Sequence, residues 1–200
     1  MRARILEKLQ AETRAPCGQT EEAALRFVEN GCADRYRDYL VRCYGFEAPF
    51  ESACVMSPTL ASHGATTRPR TRYIAQDLAD LGMPPERLLE LKPCPLAPFR
   101  DLSEALGWFY VVERNVMTNR LCHRRLAETA PALAAQARYL NCYGPTTATR
   151  WRSFGLSLER AAAHADPDRI ASSAITGFAR LHDWLQITEP LIEVRIASNA

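Results

Sequence analysis

Apolar positions along the chain recur at spacings of three and four, and no long segment alternates with period two. Ile5, Leu6 and Leu9 begin a first amphipathic stripe. Cys17, Glu21, Ala24, Leu25 and Val28 share one helical face, which turns Cys17 toward the core. Pro16 fits the first turn of that helix, where amides have no intrahelical partner. Tyr36, Tyr39, Leu40, Cys43 and Tyr44 predict the next helix, with Gly45 as its C-cap, and a short helix is expected from about Pro49 to Met56. Ser52 to Thr67 lacks Asp, Glu, Lys and Arg, is rich in Ser and Thr, and reads as a loop. Tyr73, Ile74, Asp77, Leu78 and Leu81 form another stripe, ended by Gly82 with Pro84 and Pro85 beyond.

Pro93, Pro95 and Pro98 mark an extended connector. Leu102, Ala105, Leu106, Phe109 and Val112 open a long helix reaching about Glu128. Further helices are expected at Pro131–Leu140, Thr147–His164 and Pro167–Ile187, with a break at Gly144–Pro145. There are no repeats and no linker long enough to divide two domains. The pattern therefore predicts a single all-α domain of seven to nine helices over 1–187, followed by a tail, 188–200.

Two hundred residues, 47% of them hydrophobic, suffice for one core. A net charge of +2 argues against a nucleic-acid binder. The arginine clusters Arg68/Arg70/Arg72 and Arg120/Arg124/Arg125 read as solvated helix and loop charges. Seven cysteines without a CxxC pair read as reduced thiols in a cytosolic protein. The charged N-terminus is no signal peptide, and no stretch has the length of a membrane span, so a soluble cytoplasmic protein is expected. A phosphate loop, a nucleophile elbow and a paired-histidine zinc motif are all missing. His63, His123, His164 and His182 are scattered and read as surface or capped residues.

Leu9, Thr13 and Arg14, with Cys17 following, resemble the first helix of bacterial haem oxygenases, above all the biliverdin-producing kind that supplies bacteriophytochromes. The run Tyr36–Phe46 followed by Pro49-Phe50-Glu51 is similar to that group's second helix, and Asp77–Gly82 matches its Asp-Leu-x-x-Leu-Gly. Tyr110-Val111-Val112-Glu113 resembles the start of the distal helix. Tyr143, Gly144, Thr147, Trp151 and Phe154 resemble a third signature. The resemblance runs from Leu9 to Leu185 and implies a haem-oxygenase-like fold, with the first helix and the Leu102–Glu128 helix facing each other across the site.

This chain departs from that pattern at two points. Cys17 stands where the family has its iron-ligating histidine, and Arg114-Asn115-Val116-Met117-Thr118-Asn119 stands where the family has its distal glycines. Cys17 is either a haem-iron ligand, its thiol acidified by Arg14 and a helix N-terminus, or a small buried apolar residue. A thiolate ligand favours O–O cleavage, whereas the family's imidazole preserves the hydroperoxide. Arg114, Thr118 and Asn119 are expected to project into the space that the glycines leave for a flat ligand. Arg114 is expected either to turn away to an acidic partner or solvent, with the helix rotated or displaced from Cys17, or to reach into the site and meet a buried carboxylate or bound anion. Glu21, one turn after Cys17, is the nearest candidate for that carboxylate. His123 lies nearly opposite Arg114 on the wheel. The resemblance implies that Arg150, and secondarily Arg14, pairs with haem propionates near Tyr143. Alternatively Trp151 and Phe154 are core anchors and Arg150 a surface charge.

The candidate ligand-binding residues are thus Arg14, Cys17, Glu21, Arg114, Asn115, Met117, Thr118, Asn119, Tyr143 and Arg150, and none is assigned as catalytic. The function implied is a divergent haem-oxygenase-like protein that binds haem or a bilin, with haem-to-biliverdin activity impaired or absent. A phytochrome or a reductase is the partner implied. The alternatives are an active haem oxygenase with an unusual ligand, and an interaction module whose pocket is filled.

Overall fold

The computed structural model describes residues 4–57, 69–189 and 191. The protein is all-α, and its helices are α1 (Ile5–Glu12), α2 (Arg14–Leu25), α3 (Ala33–Val55), α4 (Thr71–Asp80), α5 (Leu102–Thr129), α6 (Pro131–Gln136), α7 (Thr147–Ala162) and α8 (Pro167–Leu185). Two short 3-10 segments, Pro85–Glu90 and Gly144–Thr146, lie between them. No helix among the described residues is long and apolar enough to cross a membrane. Most of the loop expected at Ser52–Thr67 lies outside the described residues; its first part continues α3.

α5 is the centre, buried from Leu102 through Val112 except at Glu104. It crosses α8 where Gly107 has no room for a side chain: a Cβ there would stand 2.6 Å from the Ile170 carbonyl oxygen and from Ser173 Cβ. Ser173 Oγ donates to the Glu104 carbonyl at 2.8 Å in the same crossing. α2 also lies on α8, α3 on α4, and α6 on α5. Carboxylate side chains cap several helices. Both Glu159 carboxylate oxygens accept from the first amides of α1, Ile5 and Leu6, at 3.2 Å. Asp101 and Asp166 cap α5 and α8. Asp101 with Glu104 has the spacing of a capping box, a signal that periodicity alone passes over.

α3 corrects one expectation. Gly45 does not end a helix; it sits inside a single helix that continues through Pro49 to Val55. Pro49 has no amide to give the Gly45 carbonyl, and the Cys94 amide supplies that hydrogen bond instead, at 2.8 Å. Gly45 is required because a Cβ would stand 2.8 Å from the Lys92 carbonyl oxygen and 2.9 Å from Trp184 Cζ2. The connector therefore lies against the middle of α3, and its Lys92 amide donates to the Leu191 carbonyl at 2.9 Å.

α6 stops at Gln136, short of Leu140, because Asp77 captures the next amides. The Asp77 carboxylate accepts from Arg138 N at 3.1 Å, Tyr139 N at 2.9 Å and Tyr36 OH at 2.9 Å. α4 ends as predicted at Gly82. The Met83 amide returns to the Leu78 carbonyl and the Gly82 amide to that of Ala79, a Schellman closure.

The reading of the arginines as solvated fails at Arg70. Its side chain is 3% exposed, donates to Glu47 Oε2 at 3.1 Å and to the Val112 carbonyl at 3.0 Å, and so ties α3 to α5. Tyr139 OH completes the cluster, donating to Glu47 Oε1 at 2.6 Å. Burial pushes the Glu47 carboxyl above its ordinary range, against the pull of Arg70. Arg72, Arg120, Arg124 and Arg125 are exposed as expected, and Arg68 lies outside the described residues.

Candidate functional site

The joint between α1 and α2 forms the floor of a cleft against α5. Thr13 ends α1 and precedes α2, and its hydroxyl donates to the Leu9 carbonyl at 2.7 Å, so the chain bends there without leaving a polar group open. Helical spacing then places Arg14, Cys17, Gly18 and Glu21 of α2 along one side, facing Tyr110 and Arg114 of α5. The cleft has a volume of about 330 Å³, at the lower end of the range for small-molecule sites. Gln10 and Thr13 close its end, where the Thr13 and Tyr110 hydroxyls lie 3.4 Å apart.

Cys17 is 6% exposed. Burial pushes its thiol pKa up, Arg114 opposes this, and Glu21 adds to it, so the net shift is upward. The acidified thiol expected from Arg14 and the helix N-terminus is therefore not what the site produces: Arg14 is exposed at the cleft edge, and desolvation dominates. Arg114 is half-buried and reaches into the cleft. Its Nη1 is buried with no hydrogen-bond partner. Glu21 lines the same cleft, yet the ion pair expected between the two is not formed among the described residues. Tyr110 is held by aromatic neighbours, with Trp151 at 6.1 Å and Phe178 edge-on at 6.2 Å.

The other candidate residues are placed differently. Asn115, Thr118 and Asn119 are buried, but none lines the cleft. Asn115 and Asn119 are rotated by about 100° and 140° from Arg114 on an α-helix, and Asn119 Oδ1 accepts from Tyr39 OH at 2.7 Å on the side toward α3. Met117 lies on the stripe Tyr110, Arg114, Met117, Leu121 and is half-buried. His123, on a different face, has Nε2 3.1 Å from the Ala134 carbonyl oxygen. Tyr143 and Arg150 stand apart from the cleft. Tyr143 OH donates to Glu113 at 3.2 Å, and the Arg150 guanidinium covers the Tyr143 ring at 4.6 Å while its Nε donates to Thr146 Oγ1. Phe154 is buried and stacks on Phe109 at 5.7 Å, as a core anchor would.

Sequence reasoning passed over the Glu47–Arg70–Tyr139 cluster. Its signal was a carboxylate, Glu47, in register with Tyr36, Leu40 and Cys43 on the buried stripe of α3. All seven cysteines are free, and among the described residues no three His, Cys, Asp or Glu side chains converge as a metal site.

The donor set of the cleft does not fit haem iron. The one soft ligand is a buried thiol driven toward its neutral form, no histidine lines the cleft, and a guanidinium stands on the opposite wall. The sequence matches no protein-family model and no curated protein.

Proposed function

We propose that this protein is a divergent haem-oxygenase-like protein in which conversion of haem to biliverdin is impaired or absent, and in which the α2–α5 cleft is kept as a ligand site for haem or a bilin. The observation that carries this reading is the meeting of Cys17 and Arg114 across one cleft. A ring-opening site needs an iron ligand on one wall and a bare backbone on the other, and here both walls carry the wrong group. A bilin asks less of the cleft's donor set than haem, since it brings no iron and needs nothing of the Cys17 thiol.

The all-α fold and the bend at Thr13 that sets Cys17 against α5 support the reading. Visible absorption tests it. A shifted bilin spectrum on addition of biliverdin, or a Soret band on addition of haem that persists with reductant and O2, supports the reading. Turnover of the Soret band to biliverdin would restore the ordinary enzyme. The absence of any spectral change with either tetrapyrrole would instead favour a partner-binding module.

A further inference from the structure

We propose that the α2–α5 cleft binds a small organic monocarboxylate, recognised by the Arg114 guanidinium. This rests on the preceding reading only in taking the cleft as a ligand site; it does not require a tetrapyrrole.

Arg114 Nη1 is buried and unpaired. A buried donor left without an acceptor is unfavourable, and more so when it carries charge. Three neighbours that could have relieved it do not. Glu21 lines the cleft outside ion-pair range, the Tyr110 hydroxyl faces Thr13, and the Cys17 sulfur is at best a weak acceptor. Arg114 thus lines the cleft with one guanidinium donor still unpaired, and an acceptor entering the cleft gains that donor once the side chain turns toward it. Arg14, also without an ion pair among the described residues, adds a second positive charge at the edge.

The chemistry of the walls narrows the class of ligand. A guanidinium fork matches carboxylate and phosphate alike. Glu21, on the wall facing Arg114, disfavours a dianion and tolerates a single negative charge. About 330 Å³ is more than an inorganic ion fills and matches a compact organic acid. Beside Gly18 the cleft is open, with no atom within 4 Å of where a Cβ would lie. Gly18 is exposed on α2, so a larger side chain there blocks the cleft without touching the core.

Calorimetric titration of the full chain with benzoate, benzamide and inorganic phosphate tests the proposal. Benzoate is expected to bind saturably in the millimolar range, and its neutral isostere benzamide at least about tenfold more weakly. Arg114→Gln is expected to lose at least about tenfold in benzoate affinity, with Arg114→Lys retaining part of it. Gly18→Leu is expected to abolish binding while leaving the helical circular dichroism intact. Any of four results overturns the proposal: no saturable benzoate binding, equal binding of benzamide, tighter binding of phosphate, or unchanged affinity in Arg114→Gln. The tetrapyrrole reading is scored separately by visible absorption. A stable Soret band without benzoate binding removes this inference alone, and benzoate binding without any tetrapyrrole shift removes the other alone.

Discussion

Replacing Arg70 by methionine removes one member of the buried pair that joins α3 to α5. The substitution deletes the hydrogen bonds to Glu47 at 3.1 Å and to the Val112 carbonyl at 3.0 Å, leaving Glu47 with Tyr139 OH alone. Both side chains are 3% exposed, so water does not replace what is lost. Breaking such a pair from one side costs about 3–5 kcal/mol, a large share of the 5–15 kcal/mol that stabilises an ordinary domain. With a urea m-value of about 2–3 kcal/mol/M, the midpoint should fall by about 1.5 M. The cost should depend on pH. Glu47 titrates higher in the folded state than in the unfolded one, so the native state holds the extra proton and stability falls as pH rises through that interval. Without Arg70 the carboxyl rises further, so the deficit should be smallest well below about pH 4, where Glu47 is protonated in both states, and largest at neutral pH. Arg70→Met/Glu47→Leu should recover most of the loss, because a buried pair replaced together by apolar groups is close to neutral. Urea titrations of both variants at acid and neutral pH provide the check. A single variant within about 1 kcal/mol of wild type, or a double variant as unstable as the sum of its parts, would refute the reasoning.

Gly18→Ala should stabilise the protein by about 0.5–1 kcal/mol, read as a higher urea midpoint, since Gly18 lies in a helix with open space around it. Gly45→Ala should do the opposite, costing about 1–3 kcal/mol in the same titration, because its Cβ meets a carbonyl oxygen and the Trp184 ring below 3 Å. Cys17→His alone should raise haem affinity by less than about tenfold, or 1.4 kcal/mol, in a Soret titration, because Arg114 still occupies the opposite wall. Cys17→His/Arg114→Gly should raise it further. A single variant with tight binding and biliverdin formation would show that Arg114 is no obstacle.

Periodicity made the helices legible because apolar faces recur with the helical repeat wherever one side is buried. The joints were not legible. Gly45 looks like a helix stop from its neighbours, and only the Cys94 amide, far along the chain, lets α3 run through Gly45 and Pro49 together. Arg70 looks solvated in an arginine-rich stretch, and only the fold brings Glu47 and the Val112 carbonyl to it. The same division holds at the cleft. Cys17 and Glu21 could be paired from one helix's spacing. Which face of α5 meets them depends on what surrounds α5, so Asn119, expected beside Arg114, turns instead to Tyr39.

The connector from Lys92 to Pro95 alternates residues whose amides are bonded, to the Leu191 and Gly45 carbonyls, with prolines that have no amide. An extended segment at a protein surface ordinarily offers a row of donors to any passing strand. Here that row is empty, with every N–H either satisfied internally or never made. Along these four residues, of which Cys94 is buried, the chain therefore has no free N–H with which to donate to the strand of a second molecule.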